Sequence, residues 1–222
     1  MKRHFLIGIV LFLTLGSIAF AVKDVEIQKK KFISQTPPFT LVTPSEFKLI
    51  HSDSFDVPKE NSRTRVYLFI KEKNKQVEEM FLVEIADKTN PQAGPMSVPP
   101  LKPFTEKRMY KKDRMKKGDL GIDYLIQLMA WNPAAPSLQP IIKKGYVIPH
   151  NWALQGQLLF GYLGEHAVFV RYSRDVSSFG MKISEEGKNW ERDSISGNEK
   201  KVYETFQKGF MEMVNSIQIK NQ

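Results

Sequence analysis

Between Leu154 and Ser173 the chain alternates with a period of two. Leu158, Phe160 and Tyr162 share one face, Gly164-Glu165 interrupts the run, and Val168, Val170 and Tyr172 resume it. Successive side chains of a strand point to opposite faces, so this pattern with a turn at its centre predicts an antiparallel hairpin. An earlier pair of runs repeats the argument. Arg65 to Ile70 sets Val66, Leu68 and Ile70 against Tyr67 and Phe69, Met80 to Ile85 supplies a partner run, and Glu72-Lys73-Asn74-Lys75-Gln76 is the polar turn between them. Strands apolar on both faces need cover on both. The chain must therefore build a sheet with material on each side, and the remaining segments have to supply it.

Those segments divide by proline. Residues 22 to 38 are polar and basic, with Lys29-Lys30-Lys31 and Pro37-Pro38, and read as a lead-in. Phe39-Thr40-Leu41-Val42 and Phe47-Lys48-Leu49-Ile50 are strand-like on either side of Pro44-Ser45, and 53 to 63 reads as loop. Pro91, Pro95, Pro99, Pro100 and Pro103 exclude regular helix and central strand over that stretch, because proline lacks the amide donor. Gly118-Asp119 can open a helix carrying Ile122, Leu125, Ile126 and Met129 up to Asn132-Pro133. Pro133, Pro136 and Pro140 then lead to Tyr146-Val147-Ile148, a candidate short strand. Finally, Ser196-Gly197-Asn198-Glu199 has capping-box spacing, and Val202, Phe206, Phe210, Met213 and Ile217 form one helical stripe.

This order of parts, with a leading strand ending in proline, paired strands, a late long hairpin and a terminal helix ending Phe210-Met211-Glu212-Met213-Val214-Asn215-Ser216-Ile217, resembles the PsbP-like family. The resemblance covers about residues 39 to 85 and 154 to 219. It implies an antiparallel sheet flanked by helices on both faces, an αβα sandwich, and exported, mostly non-enzymatic proteins that dock onto larger assemblies. The expected fold is therefore a single α+β domain over 39–222 with a loop-rich Pro-rich and basic insertion at about 90–150.

Compartment comes from the other end. Lys2 and Arg3, an apolar run from Phe5 to Phe20 and the close Ala19-Phe20-Ala21 have the form of a secretory signal peptide, with cleavage expected after Ala21 and a periplasmic or secreted product. The competing reading is an uncleaved anchor. The chain contains no cysteine, which removes lipidation at the cleavage site, disulfides, thiol nucleophiles, thiolate metal sites and covalent haem attachment.

Net charge is +9, and +7 once Lys2 and Arg3 are removed with the leader. Most of the surplus lies in one stretch. Lys102, Lys107, Arg108, Lys111, Lys112, Arg114, Lys116 and Lys117 face only Glu106 and Asp113, a local excess of +6. Met109, Tyr110 and Met115 are interleaved among them; arranged as a helix, Arg108, Lys111, Lys112 and Met115 would share a face, so apolar and basic groups do not separate as a membrane-surface helix requires. These eight residues are the candidate partner-binding site, suited to an acidic protein or an anionic envelope surface; nucleic acid is an improbable partner for an exported chain. The bland alternative is a solvated loop.

The search for catalytic chemistry is mostly negative. Nucleophile-elbow, phosphate-loop, dinucleotide and His-Glu-x-x-His patterns are absent, and no catalytic residue, metal or cofactor is assigned. Glu165-His166 at the hairpin tip and His150 are the alternative, an envelope hydrolase or metal-dependent enzyme assembled with nearby carboxylates; His51 stands apart. Asp175 with Glu185-Glu186 offers paired acids only if they meet in space. Trp131, Trp152 and Trp190 each adjoin an asparagine, a pairing that suits either a sugar ring or the edge of a core. Gly161 and Gly164 read as positions of close packing, and Pro100-Leu101-Lys102-Pro103 as a stiff connector.

Overall fold

The computed structural model describes residues 24–149, 152–181, 183 and 187–220; the expected leader and its cleavage point, together with His150, Asn151, Glu185 and Glu186, lie outside the described residues. Eleven strands among the described residues form two antiparallel sheets. The smaller sheet holds β1 (Val25–Gln28), β2 (Lys31–Ser34), β3 (Phe39–Val42) and β11 (Gln218–Ile219), in the order β1-β2-β3-β11. The larger contains β4 (Lys48–Val57), β5 (Ser62–Lys73), β6 (Gln76–Lys88), β7 (Met109–Lys117), β8 (Leu120–Ala130), β9 (Trp152–Tyr162) and β10 (His166–Asp175), in the order β4-β5-β6-β10-β9-β8-β7. Two α-helices are present among the described residues, the five-residue α1 (Gln139–Lys143) and the 19-residue α2 (Gly197–Asn215).

Both expected hairpins form. β5 and β6 pair through a two-residue turn at Asn74 and Lys75, which have φ of 52° and 65°. Left-handed conformation at both central positions matches the right-handed twist of the strands. β9 and β10 pair from Tyr162↔His166 to Ala153↔Asp175, with Leu163 and Gly164 left-handed at the tip. Both faces of the large sheet are covered. On the inner face, the small sheet and α2 meet Phe69, Phe81, Phe160 and Tyr172, with Phe32 5.8 Å from Phe81 and Phe39 5.5 Å from Phe160. Phe206 of α2 stacks on Tyr172 at 5.2 Å. Each such buried side chain is worth about 1.5–3 kcal/mol relative to exposure.

The outer face is covered without a long helix. Residues 131–148, including α1, place Trp131, Leu138, Ile141 and Ile148 on Ile50, Leu68, Ile70 and Leu82. The earlier proline-rich segment places Val98 and Leu101 on Leu125 and Leu159. It crosses the β9–β10 hairpin where the hairpin lacks side chains: a Cβ on Gly161 would sit 2.9 Å from Val98 Cγ2, and one on Gly164 3.1 Å from Pro95 Cβ. Met96 N donates to Gly164 O at 2.7 Å. These glycines serve close packing, and Pro100-Leu101-Lys102-Pro103 is a connector with Leu101 buried.

Several expectations are corrected. The fold is mainly antiparallel β, with 48% of residues in strands, and is not a helix-flanked α+β sandwich. Residues 22–38 contain β1 and β2, whose Val25 and Phe32 are core residues, and the expected loop at 53–63 is largely β4 and the start of β5. The expected helix after Gly118 is β8. Ile122, Tyr124, Ile126 and Leu128 face inward and Leu125 outward, so a strand buried on both faces loses its alternation and mimics helical spacing. Helix α2 begins after Ser196 as expected, but without a side-chain capping bond. Tyr146-Val147-Ile148 forms only a single bridge, Gln76↔Val147.

Candidate functional site

The basic stretch is an edge. After a short 3-10 turn at Glu106–Arg108, β7 runs as the terminal strand of the large sheet, paired with β8 from Met109↔Gln127 to Lys117↔Leu120 with an irregularity between Met109 and Lys111. Strand alternation then sorts the cations. Lys112, Arg114 and Lys116 lie opposite Leu125, Asp123 and Gly121 on the outer face, and all three are exposed. Spaced two residues apart, their Cα positions span about 14 Å at roughly 3.4 Å per residue. Arg114 lies across Gly121, where a Cβ would come within 2.5 Å of its Nη2, and reaches Asp123 at 3.6 Å. Lys102, Lys112 and Lys116 have no carboxylate within 4.0 Å among the described residues, and Lys107 has Glu191 at that limit.

Other members of the stretch are structural. Lys117 donates to the carbonyls of Asn215 and Ile217, the latter at 2.6 Å, at the C-terminal end of α2. There a cation complements unpaired carbonyls and the negative end of the helix dipole, and burial holds its ammonium below the ordinary lysine value. Arg108 stacks on Trp152 at 4.3 Å, and Lys111 lies 5.6 Å from the Tyr124 ring on the inner side. Tyr110 packs on Tyr203 of α2 at 4.7 Å and donates to Trp190 O at 2.5 Å. Burial drives the Tyr110 phenol well above its usual range and the Tyr203 phenol up to about 12, so both are neutral at ordinary pH.

Of the alternative site, His150 lies outside the described residues. His166 Nδ1 is 2.8 Å from Asp87 Oδ1, and Arg65 donates two bonds to the same carboxylate at 2.7 and 3.0 Å. Burial pushes the Asp87 carboxyl upward, but the His166 and Arg65 hydrogen bonds outweigh it and hold the group below the usual aspartate range. Arg65 also reaches Asp24 at 3.2 Å and Thr36 O at 2.5 Å, so the cluster latches the small sheet to the large one. His51 stands 3.9 Å from Asp53 on β4, and no group of three metal-ligating side chains occurs among the described residues. Asp175 is buried and accepts from the amide and hydroxyl of Ser177. Trp131 and Trp190 are core residues.

Sequence reading missed the polar side of the outer face. Gln127 Nε2 donates to Gln155 Oε1 at 3.0 Å, Gln155 Nε2 to Ser173 Oγ at 3.2 Å, and Gln157 Nε2 to Gln155 Oε1 at 2.6 Å, a buried ladder across β8, β9 and β10. Phe104 N donates to Gln127 at 2.7 Å and pins the proline-rich segment to that ladder. Ser62 Oγ is also buried, and it has no hydrogen-bond partner among the described residues. Polar positions inside apolar strands are the signal that could have found them.

Among the described residues, no helix is long and apolar enough to cross a membrane. No family model matches this chain, and neither a curated protein nor a solved structure does.

Proposed function

We propose that the chain is an exported, non-enzymatic binding or accessory protein that docks an acidic segment of a partner protein along β7. The observation that carries the reading is the row Lys112, Arg114 and Lys116 on the exposed outer side of a terminal strand, with Lys102 exposed on the preceding segment. Edge strands offer unpaired backbone groups to an incoming chain, and lysine on an edge discourages neutral or basic ones. An acidic segment meets both conditions. The leader supports export, and the resemblance to the PsbP-like family points to the same docking role.

The test is binding of a glutamate-rich peptide to the purified protein, with anionic phosphatidylglycerol vesicles as the comparison. Charge reversal at Lys102, Lys112 and Lys116 leaves the Lys117 contact to α2 intact, so a retained melting transition separates lost binding from lost folding. Peptide binding that weakens steeply with added salt and vanishes in the triple variant supports the proposal. Peptide binding indifferent to both, or capture of vesicles in preference to peptide, refutes it.

A further inference from the structure

Strand β7 carries more than a row of charges. Lys117 and Leu120 face each other across the two-residue turn Gly118-Asp119, with Gly118 left-handed at φ 60°. In such a hairpin the pair that closes the turn is hydrogen-bonded, and bonded and non-bonded pairs alternate along the ladder from there. Lys117, Met115 and Asp113 therefore turn their amides and carbonyls toward β8, while Lys116, Arg114 and Lys112 turn theirs outward. One bond shows this directly. Arg114 N donates to the side chain of its own neighbour, Asp113 Oδ1, at 2.8 Å. The residues of the exposed cation row are thus the same residues whose backbone groups face the open edge.

The open length is short and its two faces differ. Residues 187–192 cover the start of the edge, where Arg192 N donates to Lys107 O at 2.8 Å and Tyr110 donates to Trp190 O. From Lys112 to Lys116 the strand is exposed except at Met115, which is half-buried against the inner core. On the outer side Lys112 and Lys116 flank Arg114, and Arg114 already has Asp123 at 3.6 Å. On the inner side stand Asp113 and Met115. An acidic side chain of an added strand is attracted on the first side and meets a like charge or an apolar group on the second. The opposite edge of the sheet, β4, presents Asp53 and Asp56, which repel the same strand.

Resting on the docking of an acidic segment proposed above, we infer that this segment adds to β7 as an antiparallel strand that displaces Asp113 from the Arg114 amide. Its acidic side chains are four residues apart, opposite Lys112 and Lys116, with a neutral residue between them opposite Arg114. The sheet it extends is antiparallel from strand to strand. Directly opposed residues of an antiparallel pair share a face, about 5.5 Å apart at Cα where the pair is hydrogen-bonded. Each of the three partner residues exchanges N–H and C=O bonds with its β7 counterpart, so main-chain bonds and ion pairs fall on the same residues. Asp113 is the built-in competitor. Its carboxylate holds the Arg114 amide until a partner carbonyl replaces it, and so guards the edge against weaker strands.

The probes are two fluorescent peptides of one composition, the first built on Glu-Val-Thr-Val-Glu and the second on Glu-Val-Thr-Glu-Val, titrated against the purified protein by anisotropy. The first sets both acids on one face of a strand, and the second splits them. The first should bind at least about tenfold tighter. N-methylation of its Glu and Thr amides, which face β7, should weaken it by at least about tenfold, whereas N-methylation of its two Val amides should change it by less than about twofold. Hydrogen exchange at the Lys112 and Lys116 amides should slow on binding. Asp113→Ala, at an exposed position, should tighten the first peptide by about threefold or more while the protein still melts cooperatively. Equal affinity of the two isomers, indifference to methylation of Glu and Thr, or weaker binding in Asp113→Ala overturns the inference. Salt-sensitive binding in those same outcomes leaves the docking reading standing, and failure of both peptides to bind overturns both.

Discussion

Gly156 of β9 faces Phe210 of α2 so closely that a Cβ there would lie 2.2 Å from Phe210 Cδ2, 2.3 Å from Cε2 and 2.7 Å from Cγ. Favourable carbon contacts begin near 3.5 Å, so in Gly156→Ala the ring must retreat by more than about 1 Å. It has nowhere easy to go. Phe210 is fully buried and stacked on Phe206 at 6.3 Å, which is itself stacked on Tyr172 at 5.2 Å. Overpacking of this kind costs about 1–3 kcal/mol, and replacing a glycine outside the left-handed region returns about 0.4–1 kcal/mol through the unfolded chain. The expected net loss is about 1.3 kcal/mol, read as a fall of roughly 3–5 °C in Tm for a domain of this size. Chemical denaturation of Gly156→Ala, Phe210→Ala and the double variant isolates the contact: with Phe210 truncated, the added methyl has room and its cost should vanish. A neutral or stabilising Gly156→Ala, or the same cost in the Phe210→Ala background, would refute the packing of α2 on β9.

Two further outcomes follow from the same geometry. Lys117→Met removes the cation at the end of α2 and should cost about 0.3–1 kcal/mol in denaturant unfolding, whereas Lys116→Met, one residue away and exposed, should change stability by less than about 0.5 kcal/mol. Burial raises the folded Glu84 carboxyl above its unfolded value, with Arg171 opposing the shift. The folded state therefore holds the Glu84 proton more tightly, and its contribution to stability is present below the ordinary glutamate range and lost as pH rises through the raised value. Glu84→Gln should flatten that loss and raise Tm at neutral pH; an unchanged pH profile of melting would count against burial as the cause of the raised value.

The two hairpins were legible because Leu158, Phe160 and Tyr162 with Val168, Val170 and Tyr172, and the runs around Val66 and Phe81, repeat at the pleat's own period. Helix α2 was legible because Phe206, Phe210 and Met213 repeat at the helical one. Strand β8 was not, since burial on both faces erases the period that distinguishes strand from helix. Strands β1 and β2 were hidden by Lys29-Lys30-Lys31, whose charges occupy a turn and exposed positions while Val25 and Phe32 point inward. At the candidate site, the cationic stretch was visible by composition. Its division into an exposed row and residues tied to α2, Trp152 and Tyr124 depends on which side of a pleat each falls, and therefore on a register that composition does not contain.

The chain by itself determined its thiol-free chemistry, its paired antiparallel strands, its amphipathic terminal helix and its need for cover on both faces of a sheet, because these follow from residue type and local period. Tertiary structure alone decided what provides that cover. The small sheet and α2 close one face, while proline-rich segments fitted over Gly161 and Gly164 close the other. Only the pairing of distant strands could bring Val66, Glu84 and Phe169 into one row across the sheet, since the hydrogen-bond register that aligns them joins β5 and β6 to β10, on the order of a hundred residues further along the chain.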